Sequence, residues 1–281
     1  MRGIGKHFGA VKALTDVDFW VNEGEVVALV GDNGAGKSTL VKVLAGVHTQ
    51  DAGTVEFDGD EVTIASPADS QELGIATVFQ DLALCDNLDV VANLWLGREV
   101  TRDGRLDEVD MEQRTWTLLR ELAAKIPSVR IPVASLSGGQ RQTVAIARSL
   151  IGEPRVVILD EPTAALGVAQ TAEVLNLIER LRERGHGVVL ISHNMAEVMA
   201  VADRIVVLRL GRNNGEYNAA DVTSETLIAA ITGAIDNTGA RRPHAATAAA
   251  SPDPDPEPES AATVIPLTPR DRRRPRRRSD S

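Results

Sequence analysis

The sequence has few of the features that mark membrane-spanning, secreted or nucleic-acid-binding proteins. Its single cysteine, Cys85, excludes a disulfide within the chain and fits a reducing compartment. No apolar run approaches the roughly 18 residues needed to cross a bilayer, and the start lacks the apolar segment of a secretory signal. Positive charge is also scarce, with 30 Lys and Arg against 40 Asp and Glu and a net charge of −10. Because an acidic body repels a phosphate backbone, we expect no nucleic-acid partner.

The 281 residues divide into a long body and a tail of different composition. Large apolar residues almost disappear near residue 238, and residues 241–281 carry nine Arg against six Asp and Glu. Such a segment cannot bury enough apolar surface to offset its ordering entropy, so residues 238–281 are predicted to be disordered. The seven Arg of residues 270–278 are interpreted as a solvated appendage, with contact to anionic lipid or an acidic partner as the alternative.

The body, residues 1–237, alternates short apolar strands with amphipathic helices, which is typical of an α/β fold around a largely parallel sheet. Nearly continuous Val, Ile and Leu runs predict strands buried on both faces, at residues 26–30, 75–79, 156–160, 188–192 and 205–208. Two further stretches, 8–28 and 53–64, predict short strands of a small antiparallel β layer, joined by turns at Gly24, Gly53 and Gly59.

A helical subdomain is predicted over about residues 82–150, because residues 88–150 contain no convincing strand. One of its helices is predicted to open at Asp110, since Gln113 follows at the spacing of a capping box.

A phosphate-binding loop follows the first buried strand. Residues 31–39 satisfy the pattern G-x-x-x-x-G-K-[ST], whose glycines let successive backbone N–H groups turn toward an anion. Lys37 supplies charge to the β- and γ-phosphates of a nucleotide, and the Ser38 hydroxyl can complete a Mg²⁺ shell. The nucleotide-binding residues predicted here are Gly31, Asn33, Gly34, Ala35, Gly36, Lys37, Ser38 and Thr39.

Two adjacent acids end the strand predicted at 156–160. Neighbouring side chains on a strand point to opposite faces, so one carboxylate can hold Mg²⁺ while the other faces an attacking water. We assign Asp160 to the metal. Glu161 is assigned as the general base, because proton abstraction needs a carboxylate that is near the γ-phosphate and free of the metal.

A second segment able to bind an anion precedes a helix predicted over residues 141–150. Residues 136–140 read Leu-Ser-Gly-Gly-Gln, which places a serine hydroxyl and two flexible glycines at a helix N-terminus. This sequence is the signature of the ATP-binding cassette (ABC) family, and the chain resembles the nucleotide-binding subunits of that family over about residues 1–235.

The resemblance implies a P-loop NTPase (ABC ATPase) that binds ATP and Mg²⁺. In the family, two subunits pair head to tail, so the signature of one closes over ATP held by Lys37 of the other. The signature residues implied to contact ATP are Ser137, Gly138, Gly139 and Gln140.

Three single residues also match family positions. Phe8 stands where an aromatic ring stacks on adenine. Gln80 matches the glutamine that touches Mg²⁺ and water and relays to the membrane partner, and His193 matches the histidine that contacts the γ-phosphate. Each has a structural alternative: Phe8 and His193 as core residues, and Gln80 as an ordinary loop amide.

The finer resemblance is to the ATP-binding subunits of monosaccharide importers of the ribose, xylose or fructose type, and it rests on residues 161–168, 191–195 and 208–212. It implies a homodimer at the cytoplasmic face of the cell membrane, peripheral to it. Such a dimer energises sugar import through separate transmembrane permease subunits and is served indirectly by a sugar-binding protein. A transporter for another cargo and a soluble ABC ATPase without a transport role are the alternatives.

Two regions leave an open question. Gly167 stands where the family usually has Asp, so the usual hydrogen bond between subunits at that loop is in doubt. The segment 82–97 is where we expect the permease to dock. Its apolar residues either form that docking surface or only pack the helical layer, and they are Leu88, Val90, Val91, Leu94, Trp95 and Leu96.

Overall fold

The structure is a computed structural model that describes residues 1–236. The tail predicted to be disordered, residues 238–281, lies outside the described residues. The strands are β1 (Arg2–Phe8), β2 (Val11–Val17), β3 (Val26–Val30), β4 (Ala52–Phe57), β5 (Asp60–Val62), β6 (Ile75–Val78), β7 (Thr101–Arg102), β8 (Arg105–Leu106), β9 (Val156–Asp160), β10 (Gly187–Ile191), β11 (Arg204–Arg209) and β12 (Arg212–Asn218). The α-helices are α1 (Lys37–Leu44), α2 (Pro67–Glu72), α3 (Val90–Trp95), α4 (Glu108–Glu121), α5 (Gly138–Ser149), α6 (Val168–Glu183), α7 (Met195–Val201) and α8 (Ser224–Thr232).

A six-stranded sheet in the order β12-β11-β3-β10-β9-β6 forms the centre of the described chain. Its neighbours from β11 to β6 run parallel, and β12 adds an antiparallel edge. Every residue of β3 and β10 is buried, because the sheet is covered on both faces. The α/β fold with a largely parallel sheet is therefore confirmed, and all five predicted strands are present with ends shifted by at most one residue.

The carboxyl ends of four neighbouring strands lie level with one another. Ile191 at the end of β10 pairs with Leu29 of β3 on one side and with Asp160 of β9 on the other. On β6, Val78 pairs with Leu159 of β9. Residues that follow these strands therefore emerge along one edge of the sheet.

The antiparallel β layer is confirmed as a four-stranded sheet in the order β2-β1-β4-β5, but the sequence analysis missed β1, which, apart from Phe8, precedes the predicted stretch 8–28. The turn predicted at Gly53 is wrong, because Gly53 lies inside β4. Its φ is +87°, and a Cβ there would stand 2.5 Å from the carbonyl oxygens of Arg2 and Gly3. Glycine at this position allows β1 and β4 to approach each other closely.

The region predicted as a helical subdomain contains α3, α4 and α5, together with one element that the sequence analysis missed. Strands β7 and β8 form a short hairpin around Asp103 and Gly104, whose φ values are +53° and +75°. Asp-Gly is a strong signal for such a turn, which requires positive φ at both central residues. The predicted opening of α4 at Asp110 is also wrong: the helix begins at Glu108, and Asp107 caps it by accepting a hydrogen bond from the N–H of Asp110.

Most of the apolar residues between 88 and 96 pack inside this subdomain. Val90, Val91, Leu94 and Trp95 are buried, whereas Leu96 is 49% exposed. The indole N–H of Trp95 donates to the Met111 carbonyl at 3.1 Å and to the Thr115 hydroxyl at 3.0 Å. The packing alternative therefore holds for the four buried residues. No helix within residues 1–236 combines the length and the apolar character needed to cross a bilayer.

We predict that Trp95→Asp unfolds the subunit. The substitution removes a large buried ring, which costs about 3–5 kcal/mol, and places a carboxylate among apolar side chains. Leu96→Asp is the matched control, since the neighbouring side chain is half exposed and should tolerate the charge. Thermal unfolding followed by circular dichroism measures both variants. Equal midpoints for Trp95→Asp and the wild-type chain would contradict the packing described here.

Candidate functional site

The loop between β3 and α1 is held so closely by its neighbours that two positions accept only glycine. A Cβ on Gly31, whose φ is +154°, would lie 2.3 Å from the carbonyl oxygen of Leu208. At Gly36, where φ is +106°, a Cβ would lie 2.9 Å from the carbonyl oxygen of Ala13. At these two positions the loop therefore runs against β11 and β2 with no room for a Cβ, so glycine is required there.

Lys37 reaches back across this loop. Its ammonium group donates to the carbonyl oxygens of Gly31 at 2.7 Å and Asp32 at 3.1 Å, and the residue is only 9% exposed. Asn33, Gly34 and Ser38 are exposed around it, and Ala35 is buried. Because α1 begins at Lys37, the positive end of the helix dipole and the ammonium charge act at the same place. The arrangement can hold a phosphate group.

The two acids lie at the carboxyl end of β9 in different conformations. Asp160 is the last residue of the strand, and Glu161 follows in the left-handed region with a φ of +50°. The strand alternation used in the sequence analysis therefore does not extend to Glu161. Its backbone N–H donates to the Ile191 carbonyl of β10 at 2.9 Å, which holds the turn in place. Left-handed geometry costs an L-residue roughly 1–2 kcal/mol, so the surrounding contacts must stabilise it.

Glu161 and His193 meet across the ends of β9 and β10. The imidazole Nδ1 of His193 lies 2.8 Å from the carboxylate Oε2 of Glu161. The His193 side chain is 76% exposed and that of Glu161 is 18% exposed. His193 is therefore a surface residue, and the core alternative weighed for it does not apply. The contact can orient the carboxylate, and the second imidazole nitrogen has no hydrogen-bond partner within residues 1–236.

The environment of Asp160 suits a divalent cation. Burial and the neighbouring Glu161 carboxylate raise the pKa of Asp160, while Lys37 and Lys42 act in the opposite direction. A second positive charge at this point would relieve the crowding of two carboxylates. The carboxylate of Asp160, the exposed hydroxyl of Ser38 and the exposed amide of Gln80 are oxygen donors of the type that Mg²⁺ prefers. The residues present therefore fit this ion.

The signature residues form the start of α5. The Ser137 hydroxyl accepts from the N–H of Gln140 at 3.3 Å, and the Gln140 side-chain oxygen accepts from the N–H of Ser137 at 2.9 Å. The Gln140 amide also donates to the Lys125 carbonyl at 2.9 Å. Within the described chain none of these hydrogen bonds reaches residues 31–39. Ser137 and Gly138 are exposed, whereas Gly139 is buried against Gln170. The printed bonds of the signature thus tie it to its own helix start and to Lys125.

Phe8 lies at the end of β1, where its ring is 44% exposed and meets His48 edge-on at 5.1 Å. It is not a core residue, although the Lys6 ammonium lies over its ring, 5.6 Å from the centroid. Gln80 follows β6 and is exposed.

Two residues that the sequence analysis did not assign fasten the loop after Gln80. The Arg148 guanidinium of α5 donates to the carbonyls of Leu82 at 2.6 Å and Ala83 at 2.8 Å, and its burial lowers the pKa of Arg148. Asn93 is fully buried, and its amide binds both the N–H and the carbonyl of Cys85. The sequence signal that could have identified Arg148 is a charged residue on the apolar side of a helix. For Asn93 the signal is a polar residue within an otherwise apolar run.

A cavity of about 390 Å³ lies beside this loop. Its wall includes Asp81, Leu82, Leu96, Arg98 and Arg148. The wall also includes Thr77, whose buried hydroxyl has no hydrogen-bond partner within residues 1–236. The cavity thus lies between the Gln80 loop, the end of α3 and the signature helix α5, and its wall combines apolar side chains with charged ones.

Comparisons with known proteins agree with this geometry. The family model described as ABC transporter matches residues 14–164. A xylose/arabinose import ATP-binding protein from Sulfolobus acidocaldarius is 47% identical over 212 residues, which cover 75% of this chain and 84% of that protein. A fructose import ATP-binding protein from Rhizobium meliloti is 44% identical over 241 residues, covering 83% and 93%. A ribose import ATP-binding protein from Rubrobacter xylanophilus is 42% identical, and the match spans only 46% of its length.

Solved structures give the same result. The ADP conformation of an ATP-binding cassette of an ABC transporter aligns with a TM-score of 0.70 and 27% identity, over 82% of this chain and 93% of the other. A dimeric bacterial ABC transporter cassette aligns with a TM-score of 0.67 and 25% identity, over 78% and 97%. The resemblance inferred from the motifs is confirmed.

The raised pKa of Asp160 predicts how stability depends on pH. A carboxyl whose pKa is higher in the folded chain stabilises the fold below its unfolded pKa, and that stabilisation is lost as the pH rises through the folded pKa. At neutral pH, without nucleotide and with metal chelated, Asp160→Asn should therefore raise the unfolding temperature, by up to roughly 3 °C because the group is half-exposed.

The difference in unfolding temperature between Asp160→Asn and the wild-type chain should shrink below about pH 4, where both side chains are neutral. Differential scanning calorimetry at both pH values measures it, with exposed Asp60→Asn as the control that should not change. A lower unfolding temperature for Asp160→Asn at neutral pH would contradict the electrostatic description.

Proposed function

The chain belongs to the ABC transporter family, and we propose that it is the ATP-hydrolysing subunit that energises import of a monosaccharide through a separate membrane permease. The single observation that carries the proposal is the convergence of Lys37, Asp160, Glu161 and His193 along one edge of the sheet. The names of the xylose/arabinose, fructose and ribose relatives support the sugar as cargo.

Nucleotide binding is assigned to the phosphate loop and to Phe8. The N–H groups at the start of α1 and the Lys37 ammonium receive the β- and γ-phosphates, and Lys37 exchanges its two carbonyl partners for phosphate oxygens. The exposed face of Phe8 stacks on the base.

Hydrolysis is assigned to the Glu161–His193 pair. Glu161 takes a proton from the attacking water, the water oxygen bonds to the γ-phosphorus, and the bond to the oxygen bridging the β- and γ-phosphates breaks. His193 orients the carboxylate through its Nδ1, and its exposed Nε2 faces the γ-phosphate. Mg²⁺, held by Ser38, Gln80 and Asp160, would neutralise charge that develops on the phosphates. Asp160 and Glu161 thus have separate duties although they are adjacent.

A second copy of the chain is proposed to complete the site. Ser137 and Gly138 are exposed, and the bonds of their helix start are made within the helical subdomain, so the signature is free to close over a nucleotide in a partner. Gly167 precedes α6 and offers only backbone atoms, and Val168 beside it is 91% exposed. The subunit contact at this loop therefore uses backbone atoms and an apolar side chain in place of a carboxylate.

The permease is proposed to enter the cavity beside the Gln80 loop. Arg148 and Arg141 tie this loop to α5, Arg141 through Asp86 at 2.6 Å. An occupant would therefore act on Gln80 and on the signature helix together. We therefore propose that the subunit lies at the cytoplasmic face of the membrane, peripheral to it, and that any contact with a sugar-binding protein is indirect.

We predict that Glu161→Gln separates binding from hydrolysis. The amide cannot accept the proton from water, so hydrolysis should fall by at least roughly 100-fold, while the phosphate loop still binds ATP. The variant should accumulate as an ATP-bound dimer, measured by light scattering after gel filtration in Mg-ATP, with phosphate release measured in parallel.

Lys37→Ala serves as the opposite control, since it should lose both nucleotide binding and dimer formation. Normal phosphate release by Glu161→Gln would show that another group is the base. A monomer in saturating Mg-ATP would overturn the shared site.

We also predict that Leu96→Asp folds normally but no longer binds the permease. Leu96 lines the cavity and is 49% exposed, so a carboxylate there is tolerated by the subunit and opposes an apolar partner. Val109→Asp is the matched control, because Val109 is 66% exposed in the same subdomain but does not line the cavity. Co-purification of each variant with co-expressed sugar-permease subunits that bind the wild-type chain measures the effect. Equal recovery of permease with both variants would exclude this docking site.

A further inference from the structure

A buried carboxylate lies directly behind the Glu161–His193 pair. Glu197 on α7 is 9% exposed, and its two oxygens accept three hydrogen bonds. The Thr163 hydroxyl and the Ser192 hydroxyl donate to Oε2, the latter at 3.2 Å. The Asn194 side-chain amide donates to Oε1 at 3.0 Å. All three donors are neutral.

These donors come from the two loops that carry the proposed catalytic pair. Thr163 is two residues beyond Glu161, in the turn where the N–H of Ala164 donates to the Glu161 carbonyl at 3.1 Å. Ser192 and Asn194 flank His193 on either side. The Ser192 hydroxyl also accepts from the N–H of Asn194 at 3.1 Å, which closes the loop around His193.

We propose that Glu197 is a positioning residue, which holds the Glu161 turn and the His193 loop at the separation that brings the carboxylate and the imidazole into hydrogen-bond contact. One buried side chain binds both loops, so a change in its bonding moves one loop relative to the other. The left-handed backbone at Glu161 needs such outside support. The inference rests on the proposed function only for the roles of Glu161 and His193.

A carboxylate is required because every partner is a donor. Glutamine has nearly the same shape but turns one acceptor into an NH₂ donor. If the glutamine NH₂ group faces Asn194, two NH₂ donors oppose each other. Asn194 cannot relieve this by rotating its amide, because its oxygen accepts a hydrogen bond from the N–H of Ala196 at 3.0 Å. If the NH₂ group faces the hydroxyls, Thr163 and Ser192 would have to accept instead of donate. Either arrangement shifts the loops without opening a cavity.

The test compares Glu197→Gln with the wild-type chain in the assembled transporter and in the isolated subunit. In the transporter, kcat for ATP hydrolysis should fall roughly 10- to 100-fold, the size of effect expected from misplacing a catalytic group by about an ångström. The KM for ATP should stay within about 2-fold, since the phosphate loop is untouched. Glu183→Gln, on the exposed side of α6, is the control that should change neither value.

A second variant pair distinguishes positioning from general destabilisation. Once His193→Ala has removed the imidazole, adding Glu197→Gln should cost less than about 2-fold, because residues that act as a unit are not additive. Thr163→Val, which removes one of the three bonds, should give a smaller loss in kcat than Glu197→Gln and covers the case in which Glu197→Gln does not fold. Equal losses from Glu197→Gln with and without His193 would overturn the proposal.

A readout independent of hydrolysis separates this inference from the proposed function. The imidazole ¹⁵N shifts of His193 in the isolated subunit at fixed pH, assigned by their loss in His193→Ala, report the bond between Nδ1 and Glu161. Glu197→Gln should move them toward the values of Glu161→Ala. Unchanged shifts would overturn the positioning role even if the chain hydrolyses ATP, and moved shifts would support it even if hydrolysis were absent.

Discussion

The level ends of the parallel strands are the constraint on which the rest of the structure depends. Strands β3, β9, β10 and β6 finish along one sheet edge because their registers match residue by residue. The phosphate loop, the Asp160–Glu161 pair, His193 and Gln80 each follow one of these strands within a few residues. These strands consist largely of buried Val, Ile and Leu, and the polar groups of the site lie at their carboxyl ends, which is where an open α/β sheet binds ligands.

Unfavourable backbone conformations along this edge coincide with contacts that stabilise them. The phosphate loop runs so close to β2 and β11 that Gly31 and Gly36 leave no space for a Cβ, and Glu161 adopts a left-handed backbone. Neighbouring contacts stabilise each of these backbone conformations. In the phosphate loop, the Gly31 carbonyl accepts a hydrogen bond from the Lys37 ammonium. Around Glu161, the Ile191 carbonyl accepts from the Glu161 N–H, and the buried Glu197 carboxylate accepts from the Thr163 hydroxyl. The side chains of His193 and Ser38 remain exposed at this edge, where a ligand can reach them.

The helical subdomain differs from this sheet edge in that its own core takes up most of its apolar side chains. Its apolar residues are largely consumed by its own core, with Trp95 bonded to Met111 and Thr115. Its Arg141, Arg148 and Asn93 side chains hold the loop after Gln80 by hydrogen bonds. A cavity lies beside that loop. Because the signature helix α5 provides both arginines, the loop is hydrogen-bonded to the helix that begins at the signature.

The sequence by itself determined the buried strands, the phosphate loop and the signature, because each is a local pattern whose chemistry is complete within about ten residues. It was wrong about Gly53 and Asp110 and missed the Asp103–Gly104 hairpin, where close strand approach or turn geometry decided the outcome. Only the tertiary structure decided that Glu161 leaves the strand in a left-handed turn toward His193, and that Glu197, Arg148 and Asn93 support the site. Thr163 lies 34 residues from Glu197, and Leu82 lies 66 residues from Arg148, separations over which no sequence period carries information.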